Sequence, residues 1–401
     1  MKIGLIREYK VPTDKRVAFS PKQLIHLQMY YENRLVFKVA PSNDRCFTDE
    51  EYASIGIEVS EDLTDCDILM GVKEVPIPEL IPGKTYFFFS HTLKKQPYNR
   101  QLLQEILLRN IRLIDYEALK GSNGQRVVAF GRWAGLVGAY NSLWTYGIKS
   151  GLYTLKRAHA CYDVVELMEE LTKVELPPIK IVITGDGKVA EGVLEIMEAV
   201  GIQPVSPDDY LHAYFEAPVF TQLGVAEYNQ RKTDGGFELQ EFYDFPQRYE
   251  GCFTPYTEVS DILIAAAYWD PHAPILFTAA EIASPDFNIS VIADITCDIE
   301  GSIPTTIRPS TLADPVYDID REHFWELPAF GKQNSISVMA IDNLPCELPR
   351  DASEDFGRQL SEQVIPEFFV PDSTVIRQAT ITENGELNAD FAYLQDYVNE
   401  L

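Results

Sequence analysis

The stretch Ile179–Gly192, IKIVITGDGKVAEG, joins a short apolar run to a helical segment through a glycine-rich turn with the pattern G-x-G-x-x-A. The first glycine of such a pattern permits a tight turn, and the second lets the backbone approach a pyrophosphate. The small third residue lets the helix pack closely on the strand, and the start of the helix offers free N–H groups to phosphate. The residues predicted to bind a dinucleotide here are Gly185, Gly187, Lys188, Val189 and Ala190.

The sequence after this loop lacks a clear signal for the second half of the cofactor. In many dinucleotide folds an acid about 20 residues further on binds the adenosine ribose. Here the chain reads GIQPVSPDD over Gly201–Asp209, and Ser206 stands where that acid is expected. No arginine follows that would bind a 2′-phosphate. The choice between NAD and NADP therefore stays open at this level.

Short apolar runs alternate with amphipathic segments along the chain, which predicts an α/β fold with largely parallel sheets. The stretch Ala129–Leu155 is rich in glycine and alanine and predicts a helix that leaves the first domain. We predict two Rossmann-like domains with one parallel sheet each, separated by a cleft. Residues 1–130 plus 345–401 are predicted to form a discontinuous substrate domain, and residues 131–344 the dinucleotide-binding domain.

The net charge and the cysteine content of the chain indicate what kinds of partner it can bind. The chain has 401 residues, with 34 Lys plus Arg against 61 Asp plus Glu, giving a formal net charge of −27. Such a balance argues against nucleic-acid or anionic-membrane binding, because both need concentrated positive charge. Its 6 cysteines form no CxxC pair, and neither a membrane span nor a signal peptide is evident. These features predict a cytoplasmic protein with reduced thiols, no metal site, small-molecule substrates and an oligomeric state that the sequence does not fix.

Several polar residues follow short apolar runs. Lys73 follows ILMGV, His91 follows TYFFFS, and Glu117 ends IRLIDYE. Two arginines, Arg16 and Arg126, lie near other predicted strand ends. Ligands of open α/β sheets bind at the carboxyl ends of strands, so this group predicts a site for an anionic substrate. Taken singly, each residue is more simply a solvated or paired side chain.

The same segments resemble a known family. The motifs that carry the resemblance are KRVAFSP (15–21), GVKEV (71–75), FFSHT (88–92), LIDYE (113–117), RVVAFGRWAG (126–135) and DNLPCELPRDASE (342–354). They are similar to the saccharopine dehydrogenases, and most of all to the lysine–2-oxoglutarate reductase part of the bifunctional lysine-degrading enzymes. The resemblance covers nearly the whole chain, and it extends more distantly to alanine dehydrogenase and the transhydrogenase alpha subunit.

The resemblance implies roles for individual residues. Lys73 and His91 would form the acid–base pair. Apart from the resemblance, the charge of a nearby carboxylate such as Glu117 would tune their proton affinity. The residues implied to bind substrate are Arg16, Gln96, Arg126, Phe130 and Asp342. Those implied to lie beside the nicotinamide nucleotide are Tyr268 and Asp294. A lysine is a base only when neutral, so Lys73 needs burial or neighbouring cations that lower its proton affinity.

The expected activity follows from this resemblance. It is the interconversion of saccharopine with L-lysine and 2-oxoglutarate, by hydride transfer between an imine and NAD or NADP. Two alternatives stay open. One is an alanine-dehydrogenase-like oxidoreductase that acts on a smaller oxo acid and ammonia. The other is a non-catalytic nucleotide-binding sensor that keeps the fold, although the presence of Lys73, His91 and both arginines argues against it.

Overall fold

Within residues 1–32, 34–331 and 334–400, which the computed structural model describes, two eight-stranded sheets frame the protein. The chain divides into two units, each of which contains one of these sheets. The first unit consists of Met1–Phe130 and Pro349–Leu401, and the second of Gly131–Leu348. The predicted α/β class with two mostly parallel sheets is confirmed.

The elements follow one another along the chain as short strands and helices. The N-terminal part contains β1 (Lys2–Leu5), α1 (Pro21–Tyr30), β2 (Val36–Val39), α2 (Asp49–Ser54), β3 (Glu58–Val59), β4 (Ile68–Met70), β5 (Thr85–Phe88), α3 (Arg100–Leu108) and β6 (Arg112–Asp115). The middle part contains α4 (Gly131–Ser150), α5 (Val164–Leu171), β7 (Lys180–Thr184), α6 (Lys188–Val200), β8 (Gln203–Pro204), α7 (Pro207–His212), β9 (Val219–Leu223), β10 (Asn229–Arg231), α8 (Leu239–Asp244), β11 (Tyr249–Gly251), α9 (Thr254–Val259), β12 (Ile262–Ala265), α10 (Ala279–Ile282), β13 (Val291–Asp294), β14 (Tyr317–Asp320), β15 (Glu326–Leu327) and β16 (Ser335–Met339). The C-terminal part contains α11 (Pro349–Gln363), α12 (Thr374–Ala379), β17 (Thr380–Glu383), β18 (Glu386–Leu387) and α13 (Gln395–Asn399). Among the described helices, none has both the length and the apolar character that a bilayer crossing requires.

The sheet of the first unit has the order β18-β17-β6-β5-β4-β1-β2-β3. The strands from β6 to β3 pair in parallel, whereas β17 pairs antiparallel with β6. Apolar side chains cover both faces, as expected for strands of a buried parallel sheet. Phe87 and Ile114 belong to one core cluster with α11 residues Phe356 and Leu360, and Phe88 belongs to the other. Parallel pairing therefore brings the carboxyl ends of β1, β4, β5 and β6 to one edge.

The sheet of the second unit has the order β15-β14-β16-β13-β12-β7-β9-β8. Its central strand β7 is apolar, and Ile181, Val182 and Ile183 are fully buried. The strand that follows the glycine loop in the sequence, β8, lies at the edge of the sheet, and β9 occupies the place beside β7. The position assigned to Ser206 in the sequence is therefore wrong, because Ser206 caps α7 instead of ending the strand next to β7.

Two glycines let α4 cross α6 at backbone distance. A Cβ added to Gly135 would stand 1.7 Å from the carbonyl oxygen of Val189, and one added to Gly192 would stand 1.9 Å from the carbonyl oxygen of Arg132. The prediction of a glycine-rich helix over this stretch is confirmed, and the reason for its small residues is this crossing. The crossing fixes the first turn of α6, where the dinucleotide loop ends.

The crossing predicts a large stability effect from one methyl group. Gly135→Ala should lower the free energy of unfolding by about 1–3 kcal/mol, because the added carbon overlaps backbone atoms that cannot rotate away. Gly187→Ala is the matched control, since a Cβ there meets nothing within 4 Å. Urea unfolding of both variants measures the effect. Equal stability of the two variants would contradict the backbone contact.

Candidate active site and dinucleotide cavity

The carboxylate of Glu8 ties the segment after β1 to the loop after β4. It accepts hydrogen bonds from the backbone N–H of Val72 at 2.6 Å and of Lys73 at 2.8 Å. Burial raises the pKa of Glu8 to about 8, the charge of Asp14 adds to this rise, and the two N–H groups and Arg16 oppose it. The backbone of Lys73 is thus held by a carboxyl group that titrates near neutral pH. The sequence analysis did not include Glu8.

His91 lies beside the residue that follows Lys73. Its Nδ1 is 3.1 Å from Oε2 of Glu74, and both side chains are half-buried. Burial by itself would raise the pKa of Glu74, but the hydrogen bond with His91 and the charge of Lys10 lower that pKa to about 2. His91 adopts a left-handed backbone conformation with φ of 52°. Such a φ is uncommon outside glycine, asparagine and aspartate, and it often marks a functional position.

Asp115, at the end of β6, is bonded to the segment after β5 and to the segment after its own strand. The side chain is fully buried and accepts hydrogen bonds from the backbone N–H of Ser90 at 2.8 Å and of Glu117 at 2.6 Å. Burial raises the pKa of Asp115, and the hydrogen bonds from Ser90 and Glu117 oppose the rise. The bonds fix the residue before His91 and the backbone of Glu117. Glu117 in turn lies 3.7 Å from Nη1 of Arg126.

Arg16 is buried and already paired. Only 2% of the residue is exposed, and its Nε and Nη2 donate to the two carboxylate oxygens of Asp14 at 3.0 and 2.7 Å. Its guanidinium lies over the ring of Phe130, 4.1 Å from the ring centre. Phe130 stacks on Phe356 with ring centres 4.5 Å apart. The arginine is therefore held rigidly by a carboxylate and an aromatic face.

Two predicted substrate residues, Gln96 and Asp342, make other contacts or belong to the other unit. The side-chain oxygen of Gln96 accepts a hydrogen bond from the hydroxyl of Tyr98, and its backbone carbonyl oxygen accepts one from the hydroxyl of Tyr397. Asp342 is exposed and belongs to the second unit. The contacts above link Lys73, His91, Glu117, Arg126, Arg16 and Phe130 to the polar strand ends of the first unit, whereas Gln96 and Asp342 are not linked to them by these contacts.

The glycine loop of the second unit has the geometry that its pattern predicts. Gly185 has φ of +102°, and a Cβ there would stand 2.8 Å from the backbone of Ala266. Gly187 precedes α6, and the space beside it is open. Ala190 is fully buried. The exposed N–H groups of the first turn of α6 thus face a space that a phosphate can fill, so the loop fits a pyrophosphate.

A cavity of about 520 Å³ opens in front of this loop, within the usual range for a bound cofactor. One wall follows β7 and β12 and includes Tyr268, which is 79% exposed. Another wall comes from the segment between β9 and β12, for which the sequence analysis makes no prediction: Val225, Tyr228, Asn229, Phe242, Tyr243 and Pro246. The density of aromatic residues in this segment was the available signal. The cavity suits a flat aromatic base together with a diphosphate.

Asp294, which the resemblance places beside the nicotinamide nucleotide, has its carboxylate buried within its own turn. It is only 1% exposed, and its oxygens accept hydrogen bonds from Thr296 and Cys297 and from the hydroxyl of Thr306. Burial raises the pKa of Asp294, and these hydrogen bonds oppose the rise. The carboxylate therefore holds the turn after β13, and its place beside a nucleotide stays a prediction. Any contact with a nucleotide would come from the turn itself.

The raised pKa of Glu8 predicts a pH-dependent stability. A carboxyl whose pKa rises on folding stabilises the fold below its unfolded value and loses that contribution as the pH climbs to the folded value. The wild-type chain should therefore lose stability relative to Glu8→Gln between about pH 4.5 and pH 8. Thermal unfolding across this range measures the difference, with Glu50→Gln, an exposed carboxyl on α2, as control. A constant difference over the range would contradict the raised pKa.

Comparisons with known proteins agree with this architecture. Residues 4–137 match the family model described as alanine dehydrogenase/PNT, N-terminal domain. An L-alanine dehydrogenase structure superposes with a TM-score of 0.65 at 16% identity, covering 98% of each chain, and this likeness concerns the fold alone.

Sequence relatives point to a narrower group. The mouse protein "Alpha-aminoadipic semialdehyde synthase, mitochondrial" is 31% identical over 98% of this chain, which spans 47% of that protein. The chain is thus about half the length of such relatives. The Emericella nidulans protein "Saccharopine dehydrogenase [NAD(+), L-lysine-forming]" is 24% identical, with 91% of each chain covered. The resemblance drawn from the motifs is confirmed: over nearly its whole length the chain is similar in sequence to saccharopine dehydrogenases and alpha-aminoadipic semialdehyde synthases.

Proposed function

We propose that this chain is an NAD(P)-dependent oxidoreductase that interconverts saccharopine with L-lysine and 2-oxoglutarate. The observation that carries the proposal is the polar edge of the first unit, where Lys73 is held by the carboxyl group of Glu8 and His91 by the carboxylate of Glu74. The first unit would bind the amino acid and the oxo acid. The second unit would bind the dinucleotide at the glycine loop.

The ε-amine of lysine condenses with the keto carbon of 2-oxoglutarate to an imine, with the keto oxygen leaving as water, and the imine is then reduced. The dinucleotide supplies the hydride, and in the reverse direction accepts it. The protein must hold several carboxylates, orient the imine carbon and move protons on nitrogen and oxygen. General acid–base help of this kind typically contributes a factor of about a hundred to ten thousand.

His91 is prepared for proton transfer by its partner. Glu74, whose pKa lies at about 2, stays ionised and accepts a hydrogen bond from Nδ1. The tautomer with its proton on Nδ1 is favoured, so Nε2 is the nitrogen that gives or takes a proton. Lys73 provides the second group. Its backbone N–H is held by Glu8, and this fixes the point from which its side chain reaches substrate.

The arginines suit the substrate carboxylates to different degrees. Arg126 has an exposed side chain and only a 3.7 Å contact with Glu117, so a carboxylate can replace that contact with a bidentate pair. Arg16 is committed to Asp14 through two hydrogen bonds. It would act as a fixed positive charge over the ring of Phe130. The local charge would offset the formal net charge of −27.

The proposal also includes the cellular compartment of the protein and the kind of partner that it binds. The described residues include all 6 cysteines of the chain, and these form no disulfide, as expected in a reducing compartment such as the cytoplasm. The strongly acidic composition favours small-molecule partners over nucleic acid. Self-association of the chain is compatible with this setting.

The test of function is a nicotinamide absorbance assay with two substrate pairs. Lysine plus 2-oxoglutarate should oxidise the reduced dinucleotide, and pyruvate plus ammonia should not. Activity with the second pair alone would favour the alanine-dehydrogenase-like alternative, to which the family model and the fold lend support. Dinucleotide binding without turnover of either pair would favour the sensor.

Lys73→Met should leave dinucleotide binding intact and lower turnover by about a hundredfold or more, because it removes one proton-transfer group. The matched control is Lys94→Met, which removes an exposed lysine after β5. Steady-state kinetics and fluorescence titration with reduced dinucleotide separate the two effects. Turnover equal to that of the control would remove Lys73 from the proposed role.

A further inference from the structure

The sequence lacks an acid at the usual place after the glycine loop, but the fold brings two other carboxylates close to the end of β9. β9, the strand beside β7, ends at Leu223 and is followed by Gly224. The adenosine ribose of a bound dinucleotide is expected at the end of the strand beside the first one. A Cβ at Gly224 would stand 3.0 Å from Oε2 of Glu227 and 3.5 Å from Oδ2 of Asp186. Two carboxylates therefore flank this strand end, one from the loop itself.

The electrostatics of the nearby wall agree with this placement. Burial raises the pKa of Tyr228, and the negative charges of Asp186 and Glu227 raise it further. Tyr228 and Asp186 both line the cavity, together with the ring of Phe242. This end of the cavity thus combines aromatic surface for a base with a concentration of negative charge.

Few of the described cationic side chains near the end of β9 could bind the 2′-phosphate that distinguishes NADP from NAD. Among the described residues that line the cavity, Lys188 is the single cationic side chain. Its ammonium lies 2.9 and 2.8 Å from the two carboxylate oxygens of Glu191. Arg231, on the adjoining β10, is bound to Asp234 and Glu241. A phosphate monoester with a charge of about −1.5 to −2 would meet carboxylates here without a cation of its own.

We infer that the cavity selects NAD(H) against NADP(H), with Asp186, assisted by Glu227, accepting hydrogen bonds from the ribose hydroxyls and repelling a 2′-phosphate. The inference rests on the proposed function in one respect only, that the cavity holds a nicotinamide dinucleotide. It does not depend on which amino acid or oxo acid is the substrate. Asp186 is the central residue, because it lines the cavity and stands in the glycine loop itself.

The test compares the binding of ADP-ribose and 2′-phospho-ADP-ribose by isothermal titration calorimetry, which needs no turnover. The full chain should bind ADP-ribose at least about tenfold more tightly, because a charged hydrogen bond is exchanged for repulsion. Asp186→Asn should shrink this ratio, and Asp186→Asn combined with Glu227→Gln should bring it close to one. Both residues are exposed on loops, so the variants should fold.

The control is Asp270→Asn, which removes one carboxylate from the same cavity. Asp270 follows β12, which lies on the other side of β7 from β9, so the ratio should stay at the wild-type value. Equal or tighter wild-type binding of the phosphorylated ligand would overturn the inference, as would binding of neither ligand. An unchanged ratio in the double variant would also overturn it. A preserved ratio without turnover of lysine and 2-oxoglutarate would count against the proposed function alone.

Discussion

Parallel pairing of β1, β4, β5 and β6 is the constraint on which the polar edge of the first unit depends. Because their carboxyl ends share one edge, residues far apart in sequence become bonded neighbours. Glu8 reaches the backbone of Lys73 across 65 positions of sequence, and Asp115 reaches Ser90 across 25. The same arrangement gives each proposed proton carrier a carboxylate that fixes its position. Order at this edge comes from hydrogen bonds to backbone N–H groups and not from packing alone.

In the second unit, the packing of two helices leaves the backbone of the glycine loop accessible to a diphosphate. The crossing of α4 and α6 holds the first turn of α6 through glycines on both helices, Gly135 and Gly192. Gly187 is free of neighbours on its ligand side, whereas Gly185 is pressed against Ala266. The loop is therefore closely packed at Gly185 and open at Gly187, where a diphosphate would bind. The aromatic segment around Phe242 closes the cavity from another direction.

Much of this could be predicted from local patterns, because strand, turn and helix signals of the glycine loop are contiguous in sequence. The polar residues after β4 and β5 were also visible, since apolar runs precede them. Glu8 and Asp115 were missed because each acts through backbone N–H groups of a neighbouring strand, and only the strand order reveals the pairing. The placement of Ser206 was wrong for a related reason: β9 takes the place beside β7 that the next strand in sequence usually holds.

Under the proposed function, the polar edge and the glycine loop would both serve the reduction of an imine between lysine and 2-oxoglutarate. The most direct measurement is mass spectrometry of the product formed with a reduced dinucleotide that carries deuterium at its transferable position. We predict one deuterium on the carbon of the former keto group, in a secondary amine that joins it to the ε-nitrogen of lysine. Deuterium recovered only in alanine from pyruvate and ammonia, or in neither product, would contradict the account.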